Sequence, residues 1–270
     1  MIRDATIDDL AAVAALTKRN RERRAQLHFD YWPPAKGADE MHSRYLETVL
    51  ASPSIKNLVL ERQGRVAGFA TIRRQASFYF VDDVCFIEDI DWNTEVIQLF
   101  RAIEERPAIA TLAHGDTALI NGAILSGLKL ISTHRLFKLG KYESALVGRA
   151  VETPNDRPDP PMHVFSEFMD EQSSIIVTDD IGGYAVCSRS IDPPPILDIG
   201  GTSAVIDRVI GDDRQSTLES CLTFVQRRGD IGAIVIVDAQ DRELDHIVAS
   251  MGATHPVDVL EWPAPDAQAN

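Results

Sequence analysis

Residues 108–128 read AIATLAHGDTALINGAILSGL, and residues 233–253 read AIVIVDAQDRELDHIVASMGA. Each stretch opens with a run of apolar residues typical of a buried strand, and it closes with apolar residues at helical spacing. One aspartate stands between the two patterns, Asp116 in the first stretch and Asp241 in the second, and a glycine follows eleven positions later. An aspartate before a helix and a glycine after it are common helix-end signals. The chain is therefore predicted to contain the same strand, turn and helix twice, 125 residues apart.

The repeat extends upstream of these two stretches. Residues 81–127 align with residues 206–252 without a gap, and the apolar positions of the helix predicted before each buried strand fall in register. Few residues are identical, so the prediction depends on the matched periodicity. Further upstream, Val66–Ala70 resembles Ile181–Ala185 at an offset of 115, which indicates a loop-length difference between the two copies.

The first copy has additional predicted elements at its start. Ile2–Thr6 has the pattern of a short strand, Asp8 is suited to cap the helix that follows it, and a second helix is predicted near Asp39–Leu50. A Gln63-Gly64 turn then joins the strands of a β-hairpin. The second copy shows no counterpart of the first strand and the two helices, so we expect it to be a partial copy.

A proline-rich segment divides the chain. Thr153–Met162 contains four prolines and is the best candidate for a linker. We therefore predict an N-terminal domain over residues 1–152, a linker over 153–162 and a C-terminal domain over 163–263. The polar tail, residues 264–270, is expected to be disordered.

The charge of the chain excludes some classes of partner. The formal net charge is −14, and a surface of that sign repels nucleic acids and anionic membranes. No apolar stretch reaches the roughly 20 residues that span a bilayer, and the start has no cationic segment followed by an apolar run. We expect a cytoplasmic protein whose partners are small molecules or proteins.

The cysteines give no sign of a metal site or of a disulfide framework. Cys85, Cys187 and Cys221 are odd in number, far apart in sequence and without a Cys-x-x-Cys pair. Three packed thiols are expected, and no metal cofactor is predicted.

These patterns together resemble the GCN5-related N-acetyltransferase (GNAT) superfamily. The likeness lies in the start IRDATIDD, residues 2–9, in the hairpin strand Val66–Ala70, in Val81–Val84 and in the two stretches quoted above. Where that family has an asparagine after the buried strand, this chain has Asp116 and Asp241. The resemblance implies an α/β fold of two tandem GNAT-like units, each with a mixed, mostly antiparallel sheet flanked by helices.

The resemblance also implies a donor, acetyl-CoA or another acyl-CoA, bound at the loop before the central helix of a unit. Family members place Arg/Gln-x-x-Gly-x-Gly/Ala there, because small residues let backbone amides reach the pyrophosphate. The first copy has Glu88–Thr94 at this place, with three carboxylates and no glycine, and the second has Gly211–Thr217, with one glycine. A carboxylate near a pyrophosphate costs on the order of 1 kcal/mol or more. Acyl-CoA binding in the familiar mode is therefore disfavoured.

The second copy offers the better candidates for contacts with the donor. They are the residues at the start of its loop and central helix, namely Gly211, Arg214, Gln215 and Ser216.

Candidate catalytic residues come from the strand before that loop. Asp82, Asp83 and Glu88 in the first copy are acidic groups that would deprotonate an acceptor amine, and Asp207 is the counterpart in the second. Solvated surface carboxylates are the alternative interpretation. The tyrosine that serves the family as general acid is replaced by Ala123 and by Val248.

Two functions therefore stay open from the sequence. The first is transfer of an acetyl or acyl group from acyl-CoA to an amine of a small molecule or a protein. The second is a degenerate, non-catalytic GNAT-like protein that binds a ligand or a partner. Fold-level analogy favours the first, and the altered loop and missing tyrosine favour the second.

Three further features have two interpretations each. The basic residues between 18 and 24 suit an acidic ligand or form a solvated helix face. The aromatic residues Phe29, Tyr31 and Trp32 cover a ligand pocket or fix a loop on the core. The histidines His134 and His255 follow the last helix of each copy, where they act as a base or are isolated and exposed.

Overall fold

The computed structural model describes residues 1–75, 84–92, 96–105, 107–141, 149–151, 175–179, 182–189 and 203–262. Its residues form two compact units. Unit 1 contains Met1–Ile131 and the strand from Val257 onward, and unit 2 contains the described residues from Ser132 to Pro256. Within the described part of the chain, no helix combines the length and the apolar character needed to cross a membrane.

The described residues form twelve strands and six α-helices. The strands in chain order are β1 Ile2–Asp4, β2 Ile55–Arg62, β3 Arg65–Gln75, β4 Val84–Trp92, β5 Ala108–Ala113, β6 Lys129–Lys138, β7 Arg149–Val151, β8 Ile175–Thr178, β9 Tyr184–Arg189, β10 Ser203–Ile210, β11 Gly232–Asp238 and β12 Thr254–Trp262. The helices are α1 Leu10–Leu27, α2 Ala38–Ala51, α3 Val96–Ala102, α4 Thr117–Leu125, α5 Arg214–Arg227 and α6 Arg242–Ser250.

The sheets of the two units have the same strand order. In unit 1 the order is β1-β2-β3-β4-β5-β12, and in unit 2 it is β7-β8-β9-β10-β11-β6. Neighbouring strands are antiparallel. The two exceptions are the parallel pairs β4–β5 and β10–β11. The predicted mixed, mostly antiparallel sheet is therefore confirmed for both units.

The two units exchange their last strands relative to the sequence. β6 follows α4 in the first half of the chain but pairs with β11 of unit 2, and β12 ends the second half but pairs with β5 of unit 1. The predicted domains, 1–152 and 163–263, are continuous in sequence and so differ from these units. Periodicity predicts that a strand exists but not which strand it pairs with. The predicted linker and tail lie outside the described residues.

The second unit is more complete than the sequence predicts. β7 lies at the edge of its sheet and pairs with β8 antiparallel, as β1 pairs with β2 in unit 1. The expectation that the second copy lacks a first strand is therefore wrong. Three residues are too short a run for a periodic pattern to be recognised.

The helices quoted first in the sequence begin and end as predicted. The carboxylate of Asp116 accepts a hydrogen bond from the backbone N–H of Leu119 at the start of α4, and Asp241 does the same for Leu244 in α6. Gly127 and Gly252 follow the two helices with φ of 100° and 87°. Glycine adopts this left-handed conformation without a steric penalty, which explains why it ends both helices.

The sheet of unit 1 is covered on both faces, because successive strand residues point to opposite sides. Val59 and Phe69 pack with α1 and α2, whereas the neighbouring Leu58 and Ala70 pack with α3 and α4. In unit 2, α5 and α6 pack on one face of the sheet, and Cys187 and Cys221 are buried there as free thiols. The hydrogen bond with Cys187, followed by burial, raises the pKa of the Cys221 thiol.

Candidate functional site

Each sheet has a parallel strand pair that is joined over only part of its length. In unit 1, Cys85–Ile87 pair with Ala108–Ala110, and β4 then continues to Trp92. In unit 2, Ser203–Ile206 pair with Gly232–Val235. Beyond these residues the described strands record no further pairing with each other. Backbone N–H and C=O groups that face such a gap need other partners, and a ligand is one source of them.

An acidic β-bulge marks the point where each pair separates. In β4 the extra residue is Glu88, because Ile87 and Asp89 pair with consecutive residues of β3. In β10 the extra residue is Asp207, because its two neighbours pair with consecutive residues of β9. A bulge bends its strand and increases the local twist, which accounts for the separation. The structure thus matches Asp207 with Glu88, and the ungapped alignment that matched it with Asp82 is wrong for this strand.

The first predicted donor loop is partly strand. Glu88 to Trp92 belong to β4, and Asp89 to Trp92 pair with β3, so Glu88, Asp89 and Asp91 do not lie in the loop before α3. The sequence prediction failed because the bulge shifts the end of the strand. Residues 93–95, between β4 and α3, lie outside the described residues, as do Asp82 and Asp83. The prediction that these three carboxylates lie in the donor loop of unit 1 is therefore wrong.

The second predicted donor loop begins where the sequence places it, and its helix terminus is capped by the chain itself. β10 ends at Ile210, and Asp213 caps α5. One carboxylate oxygen of Asp213 accepts a hydrogen bond of 3.0 Å from the Ser216 backbone N–H, and the other accepts one of 2.6 Å from the Ser216 hydroxyl. These bonds hold the pKa of Asp213 below its usual range. A carboxylate of the protein thus lies where a helix N-terminus favours an anion.

A second carboxylate, from the turn after β8, reaches the same helix terminus. Asp179 accepts a hydrogen bond of 2.5 Å from the Thr217 hydroxyl and one of 2.7 Å from the Gly183 backbone N–H. Gly183 and Gly211 touch, since a Cβ on Gly211 would lie 2.8 Å from the Gly183 Cα. The single glycine of this loop is therefore required by close packing within unit 2.

The other predicted donor-binding residues of unit 2 also bond within the protein. Arg214 forms a two-fold ion pair with Asp241, at 2.9 and 2.6 Å, and its Nε donates to the Val209 carbonyl at 3.0 Å. This pair lowers the pKa of Asp241 and raises that of Arg214. Gln215 donates to Glu219 at 3.1 Å. The structure brings Gly211, Arg214, Gln215 and Ser216 together, and their contact with a donor stays a prediction.

Unit 1 carries a histidine–carboxylate pair at the end of β5. His114 directly follows this strand, and its Nδ1 lies 2.9 Å from Oδ2 of Asp258 in β12. The Asp258 side chain is only 7% exposed, whereas that of His114 is 46% exposed. With a carboxylate as its partner, Nδ1 is the donor, so the proton of the neutral ring lies on that nitrogen. A buried carboxylate therefore orients an accessible imidazole.

The C-terminal end of α1 packs against the same strand end. Arg23 donates to Asp116 at 2.6 Å, and His28 donates from Nε2 to the His114 carbonyl at 2.7 Å. Gly115, between these two residues of the turn, has φ of 86°, a conformation that favours glycine. These contacts fix the backbone on either side of the histidine ring.

Unit 2 lacks this pair at the equivalent positions. The offset of 125 that relates β5 to β11 also relates β12 to β6, so Ala239 takes the place of His114 and Thr133 takes the place of Asp258. The two units thus differ at the end of the strand that follows the gap.

Sequence reasoning missed His114 and Asp258, which are 144 positions apart. It pointed to two other histidines. His134 is 5% exposed, which contradicts the interpretation of an exposed histidine, and His255 is half-buried and lies in β12, three residues before Asp258. The position of His114 directly after a predicted strand was a usable signal, but its carboxylate partner becomes visible only through the strand exchange.

The basic and aromatic residues of α1 and its following turn mainly stabilise unit 1. Lys18 and Arg21 both pair with Asp39 of α2. The guanidinium carbon of Arg24 lies 5.1 Å from the centre of the Trp32 ring, and burial raises the pKa of Tyr31. These contacts support, for Tyr31 and Trp32, the interpretation in which the aromatic residues fix the turn to the core, whereas Phe29 is 63% exposed.

No protein-family model matches the chain, and no curated protein sequence matches it. Several solved structures are similar to the chain. A GCN5-related N-acetyltransferase from Sphaerobacter thermophilus matches with a TM-score of 0.52 at 14% identity, over 97% of this chain and 95% of that one. The glucosamine N-acetyltransferase region of a fungal multidomain GH3 β-N-acetylglucosaminidase matches with a TM-score of 0.50 at 12% identity, over 97% of this chain and 38% of that one. The predicted GNAT-like fold is therefore confirmed.

Proposed function

We propose that the protein transfers an acyl group from acyl-CoA to an amine, and that unit 1 is the half that does so. The observation that carries the proposal is the gap between β4 and β5, which opens at Glu88 and has an accessible histidine–carboxylate pair at the end of β5. The fold is that of structures described as N-acetyltransferases. The same gap in unit 2 has Ala239 in place of the histidine.

Acetyl-CoA or another acyl-CoA is the proposed donor substrate, lying along the gap of unit 1. The backbone of β4 beyond Ile87 and of β5 beyond Ala110 offers polar groups to an extended amide-containing chain. Unit 2 is the less favourable place for the pyrophosphate, because Asp213 and Asp179 already accept the hydrogen bonds at the start of α5. Gly211 and Arg214 are therefore proposed as structural residues.

The proposed acceptor is an amine of a small molecule or a protein. A net charge of −14 attracts protonated amines over a distance and repels polyanions. Of the three candidate catalytic residues Asp82, Asp83 and Glu88, Glu88 lies nearest in sequence to the point where the strands separate, because it is the bulge residue of β4.

A second function is favoured by one observation. The helix terminus of unit 2 is filled by the carboxylates of its own chain, which is expected of a unit that no longer binds a donor. For unit 2 we therefore propose a supporting, non-catalytic role. If unit 1 shared that role, the whole protein would bind a ligand or partner without transferring an acyl group.

Titration with acetyl-CoA tests the proposal directly. A ligand at 100 times its dissociation constant stabilises the folded state by about 2.7 kcal/mol, so the thermal midpoint of the protein should rise with acetyl-CoA concentration. Desulfo-CoA and AMP serve as controls for the thiol and for the nucleotide end. An unchanged midpoint at millimolar acetyl-CoA would refute acyl transfer in either unit.

A further inference from the structure

We propose that His114, oriented by Asp258, is the base that takes the proton from the acceptor amine in unit 1. This assignment rests on the proposed function of unit 1. In this assignment His114 contacts the reacting amine and is a catalytic residue. Asp258 acts through His114 and is a positioning residue.

The geometry of the pair is that of a base and its orienting group. Asp258 lies in the middle of β12, directly paired with Leu112 of β5, so its Cα is fixed by two strands. Its carboxylate is 2.9 Å from Nδ1 of His114, and burial of the Asp258 side chain limits competition by water for that bond. With Nδ1 held by the carboxylate, Nε2 is the nitrogen that presents a lone pair.

The backbone of His114 lies at the strand end that borders the gap. His114 is the first residue after β5, the strand whose pairing with β4 ends at Ala110. Its main chain is held by His28, whose ring centre lies 6.4 Å from that of His114. The next turn is held by the ion pair of Arg23 with Asp116. These contacts limit the motion of the base relative to the strand.

The reaction step balances without another reactant. The acceptor reacts as its neutral amine, after its ammonium proton has passed to solvent. The amine nitrogen attacks the acyl carbonyl carbon, a C–N bond forms, and the C–S bond breaks to release the coenzyme A thiolate. The proton that leaves the amine nitrogen passes to Nε2 of His114, and the resulting imidazolium is stabilised by Asp258 through its Nδ1–H. The imidazolium then returns the proton to the thiolate or to water.

The two units provide an internal comparison for this assignment. At equivalent positions unit 2 has Ala239 and Thr133, so both members of the pair are absent there. Unit 2 is also the unit in which carboxylates of the chain itself accept the hydrogen bonds at the start of α5. A structural role for the pair in the shared fold would be needed in both units. Its presence in unit 1 alone points to a role in the chemistry.

The test measures coenzyme A release by the full-length protein with acetyl-CoA and three amine probes: ethanolamine, tyramine and a lysine-containing peptide. Liquid chromatography separates acetyl-CoA from coenzyme A. His114→Ala and Asp258→Asn are compared with wild type and with His246→Gln, which changes an exposed histidine in α6 of unit 2. Circular dichroism establishes that each variant is folded, and acetyl-CoA binding is measured by calorimetry.

The expected result is a loss of about 100-fold in kcat for His114→Ala, with KM for acetyl-CoA little changed, since a positioned base contributes about 10²–10⁴-fold. Added imidazole should restore part of the kcat of His114→Ala but none of that of Asp258→Asn. A merely structural histidine would not be rescued by a free base. His246→Gln should behave as wild type.

Three results would overturn the assignment. If His114→Ala binds and consumes acetyl-CoA with the kcat of the wild type, His114 is not the base, and the proposed function is unaffected. Binding of acetyl-CoA without transfer to any probe by the wild type would reject the base and acyl transfer while leaving donor binding. Failure of the wild type to bind acetyl-CoA would reject the function and the base together.

Discussion

His114 and Asp258 form a hydrogen-bonded pair across 144 positions of sequence, and this pair makes the candidate site of unit 1 depend on the last strand of the chain. Asp258 belongs to β12, which pairs with β5 along Val257–Trp262. At the end of that strand the Trp262 indole N–H donates to the Ser126 carbonyl at 3.0 Å, and the ring packs edge-on against Phe100. The two halves of the sequence therefore cannot be separated without breaking unit 1.

Truncation tests that dependence. A fragment of residues 1–152 lacks β12 and leaves β5 with an open edge, so we expect it to lose cooperative unfolding in urea and to aggregate. A fragment of residues 1–262 keeps every described strand and should unfold like the full chain. Cooperative unfolding of the 1–152 fragment with native-like circular dichroism would contradict the strand exchange.

Gly211→Ala separates a structural role from a donor-binding role for this residue. A Cβ at this position would lie 2.8 Å from the Gly183 Cα, and relief of such a clash typically costs about 1–3 kcal/mol of unfolding free energy. We expect that loss in urea unfolding, with no change in affinity for acetyl-CoA by calorimetry. Gly140→Ala is the matched control, since a Cβ there meets nothing within 4 Å. If Gly211→Ala instead binds acetyl-CoA more weakly and keeps the stability of the wild type, Gly211 contacts the donor.

Acid should lower the unfolding free energy of the protein by protonating Asp9, near the start of unit 1. Arg3 donates two hydrogen bonds to this carboxylate, at 2.8 and 2.9 Å, and the Thr6 backbone N–H donates a third at 2.8 Å. The bond from Arg3, followed by that from Thr6, lowers the pKa of Asp9 to about 2. Because the folded-state pKa lies below the unfolded value of about 3.9, the contribution is full above pH 4 and is lost as the pH falls through 2.

Asp9→Asn should therefore lower the unfolding free energy by about 1 kcal/mol at pH 7, the usual effect of losing a bond at a helix start, and by less near pH 2. Urea unfolding across this range measures the difference. Asp8→Asn, at the exposed neighbouring position, should show no such convergence. A wild-type to Asp9→Asn difference that stays constant down to pH 2 would contradict the ion pair with Arg3.

The fold was largely predictable because its signals are local. Asp116 and Gly127, with their counterparts 125 positions later, bracket helices whose apolar spacing is visible in the sequence, and the Gln63-Gly64 turn has the positive φ angles of a tight hairpin. The strand partners of β6 and β12 were not predictable, since pairing depends on the whole topology.

The candidate site was less predictable for the same reason. β4 contains a one-residue bulge at Glu88 and continues to Trp92, so the loop begins later than predicted. A bulge that contains neither glycine nor proline has no local sequence pattern by which it could be predicted. Two carboxylates accept hydrogen bonds at the start of α5. Asp213 directly precedes the helix in the sequence, whereas Asp179 comes from the turn after β8, so only Asp213 could be recognised from the sequence. Contacts of this kind depend on the tertiary structure.

Hydrogen–deuterium exchange with and without acetyl-CoA tests most directly whether unit 1 holds the donor. Binding in the gap between β4 and β5 predicts slower exchange in peptides that cover Glu88–Trp92 and Thr111–His114, with no change in peptides that cover Asp207–Ile210 or Asp213–Thr217 of unit 2. Protection confined to the unit 2 peptides, or no protection in either unit at millimolar acetyl-CoA, would contradict the assignment of acyl transfer to unit 1.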